Sequence, residues 1–83
     1  MTPRLTAPQL AVLRALDKLP DGEWITAKDG GFSAGAAVNL AFRGPDDFSF
    51  IVTRWDRKDE RYSYRLSFAG LALVRALKSE GKL

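Results

Sequence analysis

The 83-residue sequence contains no cysteine and no histidine. These absences exclude disulfides, thiol chemistry, Cys/His zinc sites and acid–base catalysis by imidazole. The only adjacent carboxylates, Asp46 and Asp47, have no third ligand or base partner in the pattern and indicate a turn. No Gly-Lys-Ser/Thr follows Gly30 and Gly31, so no phosphate-binding loop is predicted. We therefore expect a protein that is not an enzyme and that holds no metal and no cofactor.

Long hydrophobic runs are also missing. The longest uncharged stretch, Gly30 to Phe42, has 13 residues, whereas a helix needs about 20 to span a bilayer. The segment from Met1 to Thr6 lacks the apolar core of a signal peptide. The sequence predicts one cytoplasmic domain over residues 1–83, with no membrane partner.

Charge is unevenly distributed along the chain. The net charge is +3, but residues 23–47 carry two basic and four acidic side chains, a local net charge of −2. Residues 48–68 carry five basic and three acidic side chains, a local net charge of +2. A basic second half permits a polyanionic partner without requiring one.

The first half of the chain has the pattern of three helices. Thr6 to Gln9 has the form of a capping box, and the helix that follows is predicted to run to about Leu19, before the stop at residues 20–22. Thr26 can cap a brief helical turn that Gly30 and Gly31 end. Ser33 can cap a third helix over residues 34–43. The residues expected to face inward from these helices are Leu10, Leu13, Leu16, Leu19, Val38, Ala41 and Phe42.

From Phe48 onward the period changes to two, which predicts a β-hairpin with a polar loop at residues 56–60. Pairing Phe50 with Leu66 and Val52 with Tyr64 places both apolar sets on one face. Ser67 can then cap a last helix that runs to about Glu80, with an inward stripe of Leu71, Val74 and Leu77.

The run from Tyr64 to Leu71 resembles the junction between the wing and the last helix in small bacterial and phage winged-helix transcription regulators. Residues 10–19, 24–26 and 39–44 fall where those proteins keep helix 1, the short strand and the end of the recognition helix. The resemblance implies an α+β fold of the winged helix-turn-helix type. It would have three N-terminal helices (the second short), a two-stranded β-hairpin wing and a C-terminal helix.

The resemblance also implies a transcription regulator that binds double-stranded DNA. Helix 34–43 would enter the major groove, where Asn39 and Arg43 suit adenine and guanine, and wing 54–61 would lie on the DNA backbone. The side chains expected to contact phosphates are Arg54, Arg57, Lys58 and Arg61. Lys28 is expected to join them on one basic face. Each element also has an alternative role without DNA. The helix would pack against another chain or against the rest of the domain, and the hairpin tip would be a solvated loop of mixed charge.

The acidic segment 23–47 leaves open a second function, because a net charge of −2 is unlike that of a strong DNA binder. Residues 45–47, after the recognition helix, are also acidic where DNA-binding relatives are usually neutral or basic. In that alternative the chain is a protein-interaction module, such as a transcription or replication assembly component or a phage inhibitor. Trp55, on an outward face with Ile51 and Thr53, would anchor a base or a protein partner, or fold over Trp24 or the last helix as core. Leu73, with Ala69, Ala72 and Ala76, would form a homodimer seam or belong to a buried helix.

Overall fold

The computed structural model describes residues 4–20, 22–41 and 49–83. Over these residues the chain has an α+β architecture, with four helices and an antiparallel sheet of three strands. None of these helices is both long enough and apolar enough to cross a membrane. The elements in chain order are α1 (Ala7–Asp17), β1 (Ile25–Thr26), α2 (Ala27–Gly30), α3 (Ala34–Ala41), β2 (Ile51–Asp56), β3 (Arg61–Leu66) and α4 (Phe68–Ser79).

Helix α1 begins at the predicted capping box, which is confirmed. The Thr6 Oγ1 accepts a hydrogen bond from the Gln9 amide at 3.4 Å, and the Gln9 Oε1 accepts one from the Thr6 amide at 2.8 Å. This exchange satisfies two amides that have no partner within the helix. The helix ends at Asp17, earlier than the predicted Leu19, and the Asp17 carboxylate lies 2.7 Å from the Lys78 Nζ of α4.

Helices α2 and α3 begin at the predicted hydroxyl caps. The Thr26 Oγ1 accepts a hydrogen bond from the amide three residues later at 3.2 Å, and the Ser33 Oγ does the same at 3.3 Å. Gly31 ends α2 with a left-handed φ of 69°, a conformation that glycine adopts without the strain a Cβ would add. The predicted end of α3 at Arg43 lies outside the described residues.

The sheet has the order β1-β3-β2, so β3 is its central strand. Tyr64 of β3 pairs with Ile25 of β1 on one side and with Thr53 of β2 on the other. The predicted hairpin register is wrong by one residue, because Ile51, not Phe50, pairs with Leu66. The predicted pairing of Val52 with Tyr64 fails in the same way, since Val52 pairs with Arg65.

The shift is visible at Phe50, which lies opposite Ser67 and is also bound by α3. Its amide donates to the carbonyl of Leu40 in α3 at 3.3 Å, and its carbonyl accepts from the amide of Ser67 at 3.1 Å. Phe50 is buried all the same, so the expectation that it belongs to the core is confirmed while its place in the strand ladder is not. Strand β2 therefore starts at Ile51.

The core lies between the helices and the face of the sheet that carries Ile51 and Tyr64. The Tyr64 ring meets Phe32 edge-on, with 5.8 Å between ring centroids. Burial raises the pKa of the Tyr64 phenol, and the nearby Tyr62 raises it further. The buried apolar residues are Val12, Leu13, Leu16, Phe32, Ala37, Leu40, Phe50, Ile51, Tyr64, Leu73, Val74 and Leu77.

Two helices are rotated relative to the predicted inward stripes. In α3 the buried positions are Ala37 and Leu40, whereas Val38 is 41% exposed. In α4 Val74 and Leu77 face the core as predicted, but Leu71 is 42% exposed. Phe42, the third residue expected inward from α3, lies outside the described residues. These rotations leave apolar side chains on the surface of both helices.

The start of α4 is fixed by Ser67, the predicted cap. Its Oγ accepts a hydrogen bond from the Gly70 amide at 3.0 Å and donates one to the carbonyl of Ser49 at 2.6 Å. One hydroxyl therefore both caps α4 and ties it to the chain that leads into β2.

Candidate nucleic-acid interface

The hairpin of β2 and β3 carries five basic side chains around a turn that a carboxylate stabilises. The Asp56 Oδ1 accepts hydrogen bonds from the amides of Lys58 at 2.9 Å and Asp59 at 3.4 Å. Arg57 and Lys58 are exposed in this turn, and Arg61 is exposed at the start of β3. Of the three acidic residues near the tip, Asp56 thus stabilises the turn, while Arg57, Lys58 and Arg61 are exposed to solvent.

Strand pairing divides the hairpin side chains between two faces. Cross-strand partners in an antiparallel pair point to the same side, and successive residues alternate. Thr53 and Tyr62 line a cleft with Val38, so their face looks toward α3. Arg54 and Arg65 belong to the opposite face. The two faces differ in chemistry, because the first is aromatic and the second is basic.

On the basic face two arginines stack on one indole. The guanidinium carbon of Arg54 lies 4.5 Å from the centroid of the Trp24 ring, and that of Arg65 lies 4.8 Å from it. Trp24 immediately precedes β1, and the pairing of Ile25 with Tyr64 brings it beside Arg65. We call these three residues the Trp24 cluster. Stacking orients each guanidinium while its N–H edges remain free for an anion.

The basic side chains of the hairpin make no ion pair within the described ranges. The two ion pairs found there join Lys78 to Asp17 and Lys82 to Glu80, on the helices and at the C-terminus. Arg54 and Arg65 are both exposed and are held close to each other by the same ring. Because their like charges repel, an anion that contacts both would be favoured at this position.

Helix α3 presents a mixed surface. Asn39 and Gly35 are exposed, as expected for a helix that contacts an outside partner, and the apolar Val38 is exposed beside them. Lys28 is exposed on α2. Arg43, the predicted second base-reading residue, lies outside the described residues. The structure thus describes one of the two residues expected to read bases.

Trp55 lies at the tip end of the aromatic face. It is 50% exposed, and its ring meets Tyr62 edge-on at 4.9 Å between centroids. The alternative in which Trp55 folds over Trp24 is wrong, because the two indoles belong to opposite faces of the sheet. The expected outward face with Ile51 is also wrong, since Ile51 is buried where this face passes under the helices. The aromatic face is therefore core at its base and open at its tip.

A cleft of about 470 Å³ separates α3 from the aromatic face of the hairpin. Val38 and Tyr62, which line it, are both large exposed side chains. Surface aromatic and aliphatic groups in a cleft are typical of contacts with a partner. The other residues that line the cleft are Ala41, Ser49, Ile51, Val52 and Thr53.

Leu73 is not a surface residue. Its side chain is 5% exposed and packs in the core with Val74 and Leu77. The predicted homodimer seam through Leu73 is therefore wrong, and the alternative in which it belongs to a buried helix is confirmed. The reason is the rotation of α4, which turns Leu73 inward and Leu71 outward.

Sequence reasoning missed the stacking of Arg54 and Arg65 on Trp24. A short strand at residues 24–26 was expected, but nothing local to it specified β3 as its partner. The pairing of Ile25 with Tyr64 is what brings Trp24 to the hairpin. The residue types were a usable signal, because an aromatic ring and basic residues on neighbouring strands commonly stack.

The acidic side chains of the described residues form no metal site, and known proteins supply no match. Within residues 4–20, 22–41 and 49–83, no group of three or more acidic, histidine or cysteine side chains could hold a metal ion. No family model matches the chain, and no curated protein or solved structure matches it significantly. The function must therefore be inferred from the geometry and charge of the chain itself.

Proposed function

We propose that the chain is a winged-helix protein that binds double-stranded DNA. Its element order supports the fold: a helix, a short strand, two helices separated by a tight turn, a hairpin and a last helix. The sheet order β1-β3-β2, with the short strand at the edge beside β3, suits that arrangement. In this proposal β2 and β3 form the wing and α3 is the recognition helix.

The observation that carries the DNA proposal is the set of wing cations that form no ion pair with any acidic side chain among the described residues. Arg57 and Lys58 are exposed at its tip, and Arg54 and Arg65 are oriented by Trp24 on its basic face. Guanidiniums with free N–H edges bind phosphate oxygens strongly, and their fixed orientation reduces the entropy lost on binding. The backbone of a duplex supplies such phosphates at regular spacing.

The two elements have different roles in this proposal. The wing binds backbone phosphates and provides most of the affinity, because the described part of α2 and α3 has only one basic side chain, Lys28, and one acidic side chain, Asp29. Asn39, with Arg43 beyond the described residues, reads base edges from the recognition helix. A protein that does this in a bacterial or phage setting acts in the cytoplasm as a transcription regulator.

Binding to a labelled random-sequence duplex, followed by fluorescence anisotropy over a range of salt concentrations, tests the proposal. We expect affinity to fall steeply with salt, because each phosphate contact contributes about 0.9 to the slope of log K against log salt. Arg57→Ala should lower that slope by about 1 on all sequences alike. Arg75→Ala removes the same charge from an exposed site on α4 and should leave the slope unchanged. Absence of binding to any duplex at low salt would refute the proposal.

Base reading is tested with a selected site and its single-base variants. Asn39→Ala should reduce discrimination at one position by about 1–3 kcal/mol, while the salt slope stays constant. Arg43→Ala should have the same type of effect at a neighbouring position. If both variants keep full discrimination, α3 does not read bases, even if the wing binds DNA.

The aromatic face favours a second candidate function, binding of a protein partner. Trp55, Tyr62 and Val38 are 50%, 48% and 41% exposed, and the last two line the cleft between α3 and the wing. Aromatic side chains of this kind are enriched at the centres of protein interfaces. If no duplex binds, an affinity capture with the intact chain should recover a partner that Trp55→Ala loses and Arg57→Ala retains. A capture that Trp55→Ala does not change would refute this candidate.

A further inference from the structure

A second surface of the chain shares only Arg65 with the proposed DNA-binding face. It lies at the start of α4, where Phe68 is 92% exposed and Leu71 is 42% exposed. Phe68 is the first residue after the Ser67 cap, while Leu73, Val74 and Leu77 face the core. The cap and the buried stripe fix the helix, so the Phe68 ring cannot turn inward without moving α4.

A cleft of about 480 Å³ lies directly beside Phe68. Leu16 and Leu19 at the end of α1 line it on one side, and Val52 and Leu66 of the sheet line it on another. Phe68 itself belongs to the lining but remains almost fully exposed, so it does not fill the cleft. One surface therefore has both a projecting aromatic ring and a cleft, apolar in part, that could receive one.

The same cleft carries one acid and one base that are available for a partner. Asp17 lines it but is paired with Lys78 at 2.7 Å. Glu23 and Arg65 also line it, and within the described ranges neither makes an ion pair. Stacking of Arg65 on Trp24 leaves its N–H edges free. The surface thus carries one acidic and one basic side chain, as a contact between two copies of the same patch requires.

We propose that this surface binds a second copy of the chain through a two-fold axis. In such an interface each copy presents the same patch, so the projecting group and its receiving cleft must lie side by side. Phe68 of each copy inserts into the cleft of the other, and Arg65 of each copy faces Glu23 of the other. The contact forms without nucleic acid, and in it Arg65 faces Glu23 in place of a phosphate. Because it relies on few apolar side chains per copy, the dimer should dissociate on dilution.

Light scattering of the intact chain over a wide concentration range tests the dimer. We expect the mass to rise from 9.2 kDa toward twice that value as the concentration increases. Phe68→Ser should remain a monomer at every concentration. At a dilution where the parent chain is also a monomer, the two thermal melts should match, because the ring is exposed. Tyr62→Ser, which removes another exposed aromatic side chain, should dimerise like the parent. The proposal is wrong if the parent chain stays monomeric, or if Phe68→Ser and Tyr62→Ser lose dimerisation equally.

A charge exchange tests the two-fold geometry independently. Glu23→Arg places two basic groups at each contact and Arg65→Glu places two acidic groups there, so each variant alone should stay monomeric. An equimolar mixture should recover a dimer, because each Arg then faces a Glu across the axis. Circular dichroism of both variants verifies folding before mixing. If the mixture stays monomeric while both variants are folded, the assigned pairing is wrong and the proposal fails.

Discussion

Gly70 lies directly against the main-chain carbonyl of Phe50, so closely that a Cβ at position 70 would overlap its oxygen. The same oxygen accepts a hydrogen bond from the Ser67 amide at 3.1 Å. The first turn of α4 therefore rests on the backbone that leads into β2. Only glycine permits this approach, although it is a poor helix former.

The first prediction concerns this contact. Gly70→Ala should destabilise the fold by about 1–3 kcal/mol, because the obstacle is backbone and cannot move aside like a side chain. Gly35→Ala in α3 is the matched control. Its Cβ would meet only the Ser33 Oγ at 3.6 Å, so it should stabilise by about 0.5–1 kcal/mol. Urea denaturation of both variants measures the difference. Equal stability of the two would mean that α4 does not rest on Phe50.

The second prediction concerns the two hydrogen bonds of Ser67. Ser67→Ala removes the cap of α4 and the bond to the Ser49 carbonyl, so we expect a loss of about 1–3 kcal/mol. Ser33→Ala removes only an exposed cap of 3.3 Å and should cost less, about 0.5–1 kcal/mol. The free energies of unfolding from urea curves provide the comparison. A smaller loss for Ser67→Ala than for Ser33→Ala would contradict the role of the tie to β2.

The third prediction concerns alkaline pH. Burial, and then Tyr62, raise the pKa of Tyr64 in the folded chain, whereas the unfolded chain should titrate near 10. Below that pH both states are protonated and Tyr64 adds no pH dependence. Above it the unfolded state loses the proton first, so the free energy of unfolding falls until the folded pKa is reached.

Urea denaturation between pH 8 and pH 11 measures this decline. Tyr64→Phe should remove most of it. Tyr62→Phe should keep most of it, because burial is the larger cause of the shift. If the decline persists in Tyr64→Phe, another group is responsible.

The fourth prediction concerns the Trp24 cluster and rests on the proposed DNA binding. Trp24→Ala removes no charge, yet it should weaken duplex binding by about 2–5-fold, because Arg54 and Arg65 lose the ring that orients them. Trp24→Phe should retain part of the affinity. Trp55→Phe, on the other face of the hairpin, should bind like the parent. Fluorescence anisotropy at one low salt concentration measures these affinities. If Trp24→Ala binds the duplex as tightly as the parent, the Trp24 cluster has no role in DNA binding.

The caps and the helix order could be predicted because their signals are local. Thr6, Thr26, Ser33 and Ser67 each act on an amide three residues away, within reach of a pattern in the sequence. The strand register could not be predicted in the same way. Phe50, Ile51 and Val52 are consecutive apolar residues, so alternation alone does not decide which of them faces the core.

The candidate site was only partly predictable for a related reason. Exposure of the tip cations follows from a polar loop, which is a local pattern. The Trp24 cluster depends on pairing between β1 and β3, which are far apart in the chain. The rotation of α3 is equally non-local, because its many small residues allow several inward faces and packing against α1 and β2 selects one. That selection exposes Val38 and buries Leu40.

The sheet order has a consequence for how the chain folds. Within the described sheet the edge strand β1 pairs only with β3, where Ile25 lies opposite Tyr64. Strand β2 pairs with the other side of β3. During synthesis on a ribosome, the edge strand must wait for its partner until the hairpin has emerged. Closing that long loop has an entropic cost that the pairing of β1 with β3 must offset. The sheet of the nascent chain should therefore form late, after its helices.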